Sequence, residues 1–140
     1  MARVSTYLNF EGQAEEAFAF YAEIFSSAIT AVTRFGDTPF GASLEPADQQ
    51  ALMHIELPIL NRHVLMATDM LASQGHSLRV GNNTTISLEL DTVDEARALF
   101  TALCAGGSES TPFDVMPWGA WWGCTLDRFN IRWMVNAPHD

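Results

Sequence analysis

Near its end the chain reads Asp127-Arg128-Phe129-Asn130-Ile131-Arg132-Trp133-Met134-Val135-Asn136, and this stretch says most about the fold. A hairpin-like turn leads into an alternation of apolar with polar or thioether side chains, which is typical of a strand. Asn130 stands in the turn, and Asn tolerates a positive φ better than most residues do. The stretch therefore predicts a closing β-strand that is entered through a tight turn.

The residues before this strand have the pattern of a helix packed on a sheet. Residues 85–90 alternate like a strand, and Thr92-Val93-Asp94-Glu95 has the form of a capping box, so a helix should begin near Val93. Gly106-Gly107 should end this helix. Its buried stripe is predicted to be Ala96, Leu99, Phe100 and Leu103. Strands are predicted around residues 108–112, 120–126 and 131–135, which makes the order of this half βαβββ.

The first half of the chain has the same order. A strand at residues 6–10 precedes a helix at 14–25, a strand at 29–34, a polar loop at 36–50 and a hairpin with strands at 52–57 and 63–68. The halves align with an offset of about 79 residues, which places Glu16 on Glu95. We therefore predict one α+β domain, residues 1–140, with residues 70–83 as a connector. In it, paired βαβββ modules (about 1–69 and about 84–138) form a curved mixed sheet around a cleft.

Composition and charge narrow the class of protein. With 140 residues, 48% of them apolar, the chain can bury a core of its own. Its 17 acidic and 7 basic residues give a net charge of −10, which argues against a nucleic-acid partner. The apolar runs are too short for a membrane span and no signal-peptide layout is present, so we expect a cytoplasmic protein without a membrane partner. Cys104 and Cys124 are expected to be small buried hydrophobes and not a disulfide.

These features together resemble the vicinal-oxygen-chelate superfamily, which includes glyoxalase I, bleomycin-resistance proteins and extradiol dioxygenases. Within it the chain is most similar to the PhnB-like branch, often called 3-demethylubiquinone methyltransferase-like. The residues that carry the resemblance are Tyr7-Leu8-Asn9-Phe10-Glu11-Gly12, Phe20-Tyr21, Leu65-Met66-Ala67-Thr68-Asp69, Trp118-Gly119 and the closing stretch from Asp127. They cover nearly the whole chain and are specific for the fold but not for a substrate. A homodimer is expected, since edge strands of such sheets stay open unless a second copy covers them.

The resemblance implies where a metal ion would be held. Metal enzymes of the superfamily take His or Glu ligands from the first and last strands of each module, and by register these positions fall on Thr6, Met66, Thr85 and Met134. Hydroxyls and thioethers do not match the imidazole and carboxylate ligands that divalent ions prefer. If the strand register is shifted by one residue, the four ligand positions become Tyr7, Ala67, Ile86 and Trp133, which are no better as metal ligands. We therefore expect no metal, and the lack of a Gly-rich phosphate loop or dinucleotide fingerprint predicts no other cofactor.

One pair of residues remains as a candidate for a metal site or an acid–base site away from the superfamily's usual positions. His54-Ile55-Glu56 places an imidazole and a carboxylate on the same face of a strand, because alternate residues point the same way. The alternative is that the two side chains face solvent or bond to each other. His63, His76 and His139 have no matching partners in the sequence and are expected to be solvated.

Strand parity predicts which side chains face the cleft. The second module contributes Thr85, Ser87, Glu89, Arg132 and Met134. Glu89 and Arg132 are expected to pair, either to orient a polar ligand or as a structural ion pair. The first module contributes Thr6, Leu8 and Phe10 together with Val64, Met66 and Thr68. An aromatic cluster of Phe113, Trp118, Trp121 and Trp122 is expected at the rim, either as core and dimer packing or as a stacking platform.

The sequence thus favours a metal-free small-molecule binding protein whose ligand it does not name. The rival interpretation is a lyase, isomerase or dioxygenase-like enzyme that uses a displaced His54/Glu56 site. A third is a structural dimer with a collapsed cleft. At this point it stays open whether the protein is an enzyme.

Overall fold

The computed structural model describes residues 1–138, and the expectation for His139 lies outside the described residues. The chain divides into two compact units, Met1–Arg79 and Val80–Asp140. The division falls within the predicted connector. Each unit holds a four-stranded mixed sheet and a helix of more than ten residues, so the predicted α+β class and the repeated βαβββ order are confirmed.

The sheet of the first unit has the strand order β1-β4-β3-β2. These strands are β1 (Thr6–Phe10), β2 (Ala31–Arg34), β3 (Leu52–Ile59) and β4 (His63–Asp69). β1 and β4 run parallel and the other pairs are antiparallel. Helix α1 (Ala14–Ile24) packs on β3 and β4. The predicted loop contains a short helix that the sequence did not indicate, α2 (Pro46–Gln50), and two 3₁₀ turns, Phe35–Asp37 and Pro39–Gly41.

The second unit repeats this topology with the strand order β5-β8-β7-β6. Its strands are β5 (Ile86–Glu89), β6 (Ser108–Val115), β7 (Trp121–Leu126) and β8 (Arg132–Ala137). Helix α3 (Val93–Cys104) begins with the predicted capping box, since Thr92 Oγ1 accepts from the Glu95 backbone N–H at 3.1 Å and donates to Glu95 Oε1 at 2.9 Å. The buried stripe of this helix is the predicted one.

Asp127 explains why the closing stretch determines the fold. Its side chain is buried, and Oδ1 accepts hydrogen bonds from the backbone N–H groups of Phe129 (2.8 Å) and Ile131 (3.0 Å). Oδ2 accepts from Trp133 Nε1 at 2.8 Å, and the indole of Trp133 is fully buried. One carboxylate therefore closes the turn and fixes the largest core side chain of the second unit.

Asn130 adopts a φ of 67°, as the turn composition predicts. Replacing this exposed residue with Gly should leave the free energy of unfolding unchanged or raise it by up to about 1 kcal/mol, since Gly pays no steric penalty at positive φ. Replacing it with Val should lower stability by about 1–2 kcal/mol, because a branched Cβ is strained there. Urea unfolding measures both variants, and equal losses in the two would show that the Asn side chain, and not the backbone conformation, is what matters.

The faces of each sheet follow from contacts with its helix. In the first unit Phe10 meets Phe18 of α1 edge-on at 6.3 Å, and Phe10 pairs in register with Asp69, which bonds to the Ala14 N–H. In the second unit a Cβ at Gly123 would lie only 3.0 Å from the Phe100 ring of α3, so Gly123 allows the helix to approach. We call these the helix faces, and the opposite side of each sheet the distal face.

Candidate functional site

The distal face of the second sheet carries most of the side chains predicted for that module. Ser87 lies opposite Met134, and Glu89 lies opposite Asn136, whose Nδ2 donates to Ser87 Oγ at 3.3 Å. Ser87, Glu89 and Met134 therefore share one face of the sheet, and their contact with a ligand stays a prediction. Beside them is a cavity of about 650 Å³, lined by Ser87, Glu89, Leu90, Asp91, Ala120, Met134, Asn136, Ala137 and Pro138. We call it the acidic cavity, since its lining among the described residues has two carboxylates and no Lys or Arg.

The same face continues onto β7. Cys124 lies opposite Met134, and Trp122 lies opposite Asn136. Trp122 is therefore on the distal face, and it is half-buried. Cys104 and Cys124 are free thiols that are partly exposed, so they are less buried than expected. Thr85 is exposed and precedes β5.

The predicted pairing of Glu89 with Arg132 is wrong. Arg132 bonds through Nη2 to Glu109 Oε1 at 3.2 Å and through Nε to the Gly81 carbonyl at 2.9 Å. Glu89 lies opposite Asn136, four residues further along β8 than Arg132. Parity predicts the face of a side chain but not its position along the strand, which the register sets. The Arg132 side chain therefore bonds β8 to β6 and to the connector. Glu89 instead lines the acidic cavity.

The predicted aromatic cluster is also wrong as a single group. Phe113 and Trp121 are 5.5 Å apart by ring centroids, and Phe113 stacks on Phe100 of α3 at 5.8 Å. The guanidinium of Arg97 covers the Trp121 ring at 5.0 Å. Trp121 lies opposite Ala137 and so belongs to the helix face, and it is not among the residues that line the acidic cavity. Trp118 is 69% exposed between β6 and β7.

The distal face of the first sheet corrects the parity assigned to β1. Tyr7 lies opposite Met66 and Asn9 lies opposite Thr68, so the distal positions of β1 are Tyr7 and Asn9. Met66 and Thr68 are on the predicted face. The predicted cleft residues Thr6, Leu8 and Phe10 instead pair with Leu65, Ala67 and Asp69 on the helix face. The physical reason is burial, since the apolar alternation of Leu8 and Phe10 belongs to the core.

A second cavity, of about 280 Å³, lies beside Asn9 and Thr68. It is lined by Asn9, Phe35, Phe40, Thr68, Asp69, Met70, Leu71, Gln74 and His76. This cavity and the acidic cavity have corresponding positions in their units. Each is lined by distal residues of the first and last strands of its unit, near the C-terminal ends of these strands. We call the smaller one the aromatic cavity. No motif in the sequence predicted this cavity, although Phe-Gly occurs twice within seven residues of an otherwise polar loop, as Phe35-Gly36 and Phe40-Gly41.

His54 and Glu56 share the distal face of the first sheet, as alternation predicts. Glu56 Oε2 lies 2.7 Å from His54 Nε2, and the Tyr7 hydroxyl lies 3.4 Å from His54 Nδ1. The two side chains therefore bond to each other, which is the structural alternative left open by the sequence. His63 bonds to Thr6 Oγ1 at 2.8 Å.

The residues at the superfamily's metal positions do not fit a divalent metal ion. Thr6 and Met66 lie on opposite faces, so the distal pair on the first and last strands of the first unit is Tyr7 and Met66. The corresponding pair in the second unit is Ser87 and Met134. A phenol, a hydroxyl and two thioethers are poor ligands for such ions. Within residues 1–138 no group of three or more His, Cys, Asp or Glu side chains is placed to hold a metal ion.

A third cavity, of about 530 Å³, adjoins the start of α1 and contains the ion pair of Arg34 with Glu15. The two guanidinium nitrogens lie 2.6 and 3.1 Å from the carboxylate oxygens, and a further bond reaches the Gln50 carbonyl. The hydrogen bond from Arg34 holds the pKa of Glu15 below its ordinary value and raises the pKa of Arg34. Arg34 is thus occupied by protein groups, which disfavours this cavity as an anion site.

Comparison with known proteins identifies the family. The family model described as 3-demethylubiquinone-9 3-methyltransferase matches residues 2–136, so the chain belongs to this family. Protein PA1353 from Pseudomonas aeruginosa is 35% identical, with a TM-score of 0.85 and full coverage of both chains. A PhnB protein from Bacillus cereus, described as a putative member of the same family, is 23% identical with a TM-score of 0.77 over 99% of this chain and 100% of its own.

The fold is that of the glyoxalase, bleomycin-resistance and dioxygenase superfamily. A domain of this class from Frankia sp. EAN1pec has a TM-score of 0.68 at 16% identity, over 100% of this chain and 94% of its own. The resemblance to the vicinal-oxygen-chelate superfamily and its PhnB-like branch is therefore confirmed. Among the described residues, no helix is long and apolar enough to cross a membrane.

Proposed function

We propose that the protein binds a small organic molecule on a distal sheet face without a metal ion. The observation that carries this proposal is the acidic cavity, which joins Ser87, Glu89 and Met134 on one face. Its volume of about 650 Å³ is within the range of small-molecule sites, roughly 300–1,000 Å³. The thioether, hydroxyl and amide groups there can contact an organic ligand, and Glu89 and Asp91 are not part of any group of three or more His, Cys, Asp or Glu side chains within residues 1–138 that could hold a metal ion.

The charge of the lining indicates the kind of ligand. Glu89 and Asp91 are acidic, the lining residues within 1–138 include no basic side chain, and the whole chain carries a net charge of −10. A positively charged or hydrogen-bond-donating molecule is therefore favoured over an anion. The half-buried indole of Trp122 lies opposite Asn136 on the same face, so occupancy should change its emission.

The enzyme alternative receives less support. An acid–base site at His54 and Glu56 would need both side chains to be available to a substrate. The 2.7 Å bond between the two side chains also accounts for both without a substrate.

A homodimer is part of the proposal. The edge strands β2 and β6 carry the exposed side chains of Val32 and Val115, which a second copy can cover.

Titration with a matched pair of small molecules tests the binding site. Benzylamine, a cation at neutral pH, should change Trp122 emission, and benzoate, an anion of similar shape, should not. Glu89→Gln should weaken benzylamine binding about tenfold or more, because a hydrogen bond to a charged group contributes about 1.5–3 kcal/mol. Glu23→Gln, which removes an exposed carboxylate from α1, serves as the control.

EDTA should leave the benzylamine titration unchanged. Trp122→Phe should abolish the change in emission without abolishing binding measured by calorimetry. Equal binding of benzoate and benzylamine, or equal weakening by Glu89→Gln and Glu23→Gln, would contradict the proposed site.

A further inference from the structure

We propose that the aromatic cavity of the first unit is a separate binding site for a neutral, planar molecule of one or two fused rings. The proposal goes beyond the ligand of the acidic cavity, since it concerns other residues in the other unit. Three properties of the aromatic cavity support the proposal. Its walls are apolar, and the Asp69 carboxylate in its lining is already bonded to backbone N–H groups. Its two phenyl rings stand on turns that are held together within the protein.

The walls favour a flat apolar ligand. Phe35, Phe40, Met70 and Leu71 line the cavity, and the rings of Phe35 and Phe40 are 6.0 Å apart. Phe35 is buried, but Phe40 is 67% exposed, which is unusual for a phenyl ring in a folded protein. A planar ring that enters the cavity would cover part of this exposed face and stack on it. The volume of about 280 Å³ limits the ligand to one or two rings.

The polar lining favours a neutral ligand over a charged one. Among the lining residues that the structure describes, Asp69 is the one carboxylate, and it is buried. Oδ1 of Asp69 accepts from the backbone N–H groups of Gly12 and Ala14, and Oδ2 accepts from that of Leu52. A cation would meet a carboxylate that is buried and already bonded to three backbone N–H groups, and burying a charge without a full partner is costly.

Uncharged polar groups remain to orient the molecule. The Asn9 carboxamide offers both a donor and an acceptor on the distal face. Thr68 Oγ1 donates to the Leu52 carbonyl at 3.3 Å, which leaves its oxygen able to accept. Gln74 adds a second carboxamide. A ring whose edge carries a donor next to an acceptor, as in a lactam, matches such groups.

The two turns that carry the phenyl rings are held together by contacts within the protein. Thr38 bonds to the Phe35 carbonyl through both its N–H (3.2 Å) and its hydroxyl (2.9 Å). A Cβ at Gly41 would lie 1.9 Å from the Phe35 carbonyl oxygen, so only Gly lets the second turn pack on the first. The wall is therefore preorganised, which lowers the cost of binding.

Calorimetry with three ring compounds tests the proposal. Quinolin-2-one is a neutral planar lactam, 1-naphthoate is an anion of similar ring size, and 1-naphthylmethylamine is the corresponding cation. Quinolin-2-one should bind at least tenfold more tightly than either charged compound, with NMR shifts at the side-chain NH₂ groups of Asn9 and Gln74. Tighter binding of naphthoate, through His76, would overturn the neutral-ligand assignment.

Variants locate the site and separate it from the acidic cavity. Phe40→Ala should weaken quinolin-2-one binding at least tenfold, and Phe40→Leu should do so less. Trp118→Ala is the matched control, because Trp118 is 69% exposed but belongs to the other unit. Glu89→Gln should not change quinolin-2-one binding. If Glu89→Gln abolishes that binding and Phe40→Ala does not, or if no NMR shift appears at Asn9, the aromatic cavity is not the site.

Discussion

Replacing Asp127 with Ala is expected to lower the free energy of unfolding by about 4 kcal/mol, because two buried N–H donors and one half-buried N–H donor lose their acceptor, and each unsatisfied donor costs about 1–3 kcal/mol. The donors are the backbone N–H groups of Phe129 and Ile131 and the indole N–H of Trp133. Asp127 is 2% exposed, so water cannot replace the carboxylate. Urea unfolding followed by Trp emission measures the change.

Matched variants show whether the hydrogen bonds are the cause. Asp127→Asn keeps the size but turns an NH₂ group towards a donor, and it should cost about half as much as Asp127→Ala. Asp114→Ala removes an exposed Asp of the same unit, whose Oδ1 accepts from the Val115 N–H, and should cost at most about 0.5 kcal/mol. If Asp127→Ala costs no more than Asp114→Ala, the account of the closing turn is wrong.

Replacing Asp69 with Ala is expected to lower the free energy of unfolding by about 3 kcal/mol. Gln13 stands at the N-cap of α1 and makes no side-chain capping bond, so the Asp69 carboxylate, 55 residues away from Ala14, caps the helix in its place. It also bonds to the Leu52 N–H at the start of β3. The change therefore loosens the helix start and a strand end together.

Hydrogen exchange separates the two effects of Asp69→Ala. Protection should fall at the amides of Gly12, Ala14 and Leu52, while the second unit keeps its protection. Glu16→Ala, at an exposed position in the first turn of α1, is the control and should leave all three amides protected. Unchanged protection in Asp69→Ala would contradict the proposed cap.

Local patterns predicted most of the fold. The capping box at Thr92, the apolar stripe of α3 and the turn at Asn130 depend on residues within a few positions of each other, and all were found. Periodicity missed the longer-range features. Nothing near Ala14 in the sequence indicates that Asp69 caps α1, and no pattern on β8 shows that Arg132 meets Glu109.

The candidate site was predicted less completely, for two physical reasons. The ligand positions implied by the resemblance put Thr6 on the distal face. Leu8 and Phe10 are apolar and alternate along β1, so they face the core, and Thr6 has the same parity and faces the core with them. The aromatic cavity depends on how a loop folds over a sheet, and Phe35 and Phe40 come together through turns whose geometry the composition does not specify.

Native mass spectrometry of protein purified without added metal tests the central claim most directly, since it reports subunit number, organic adducts and metal together. We expect a dimer of 15.4 kDa subunits that carries an organic mass, or accepts benzylamine, with no stoichiometric metal before or after incubation with Zn²⁺ or Mn²⁺. One metal ion per subunit that survives desalting, and whose removal by EDTA also releases the organic molecule, would contradict metal-free binding on the distal face.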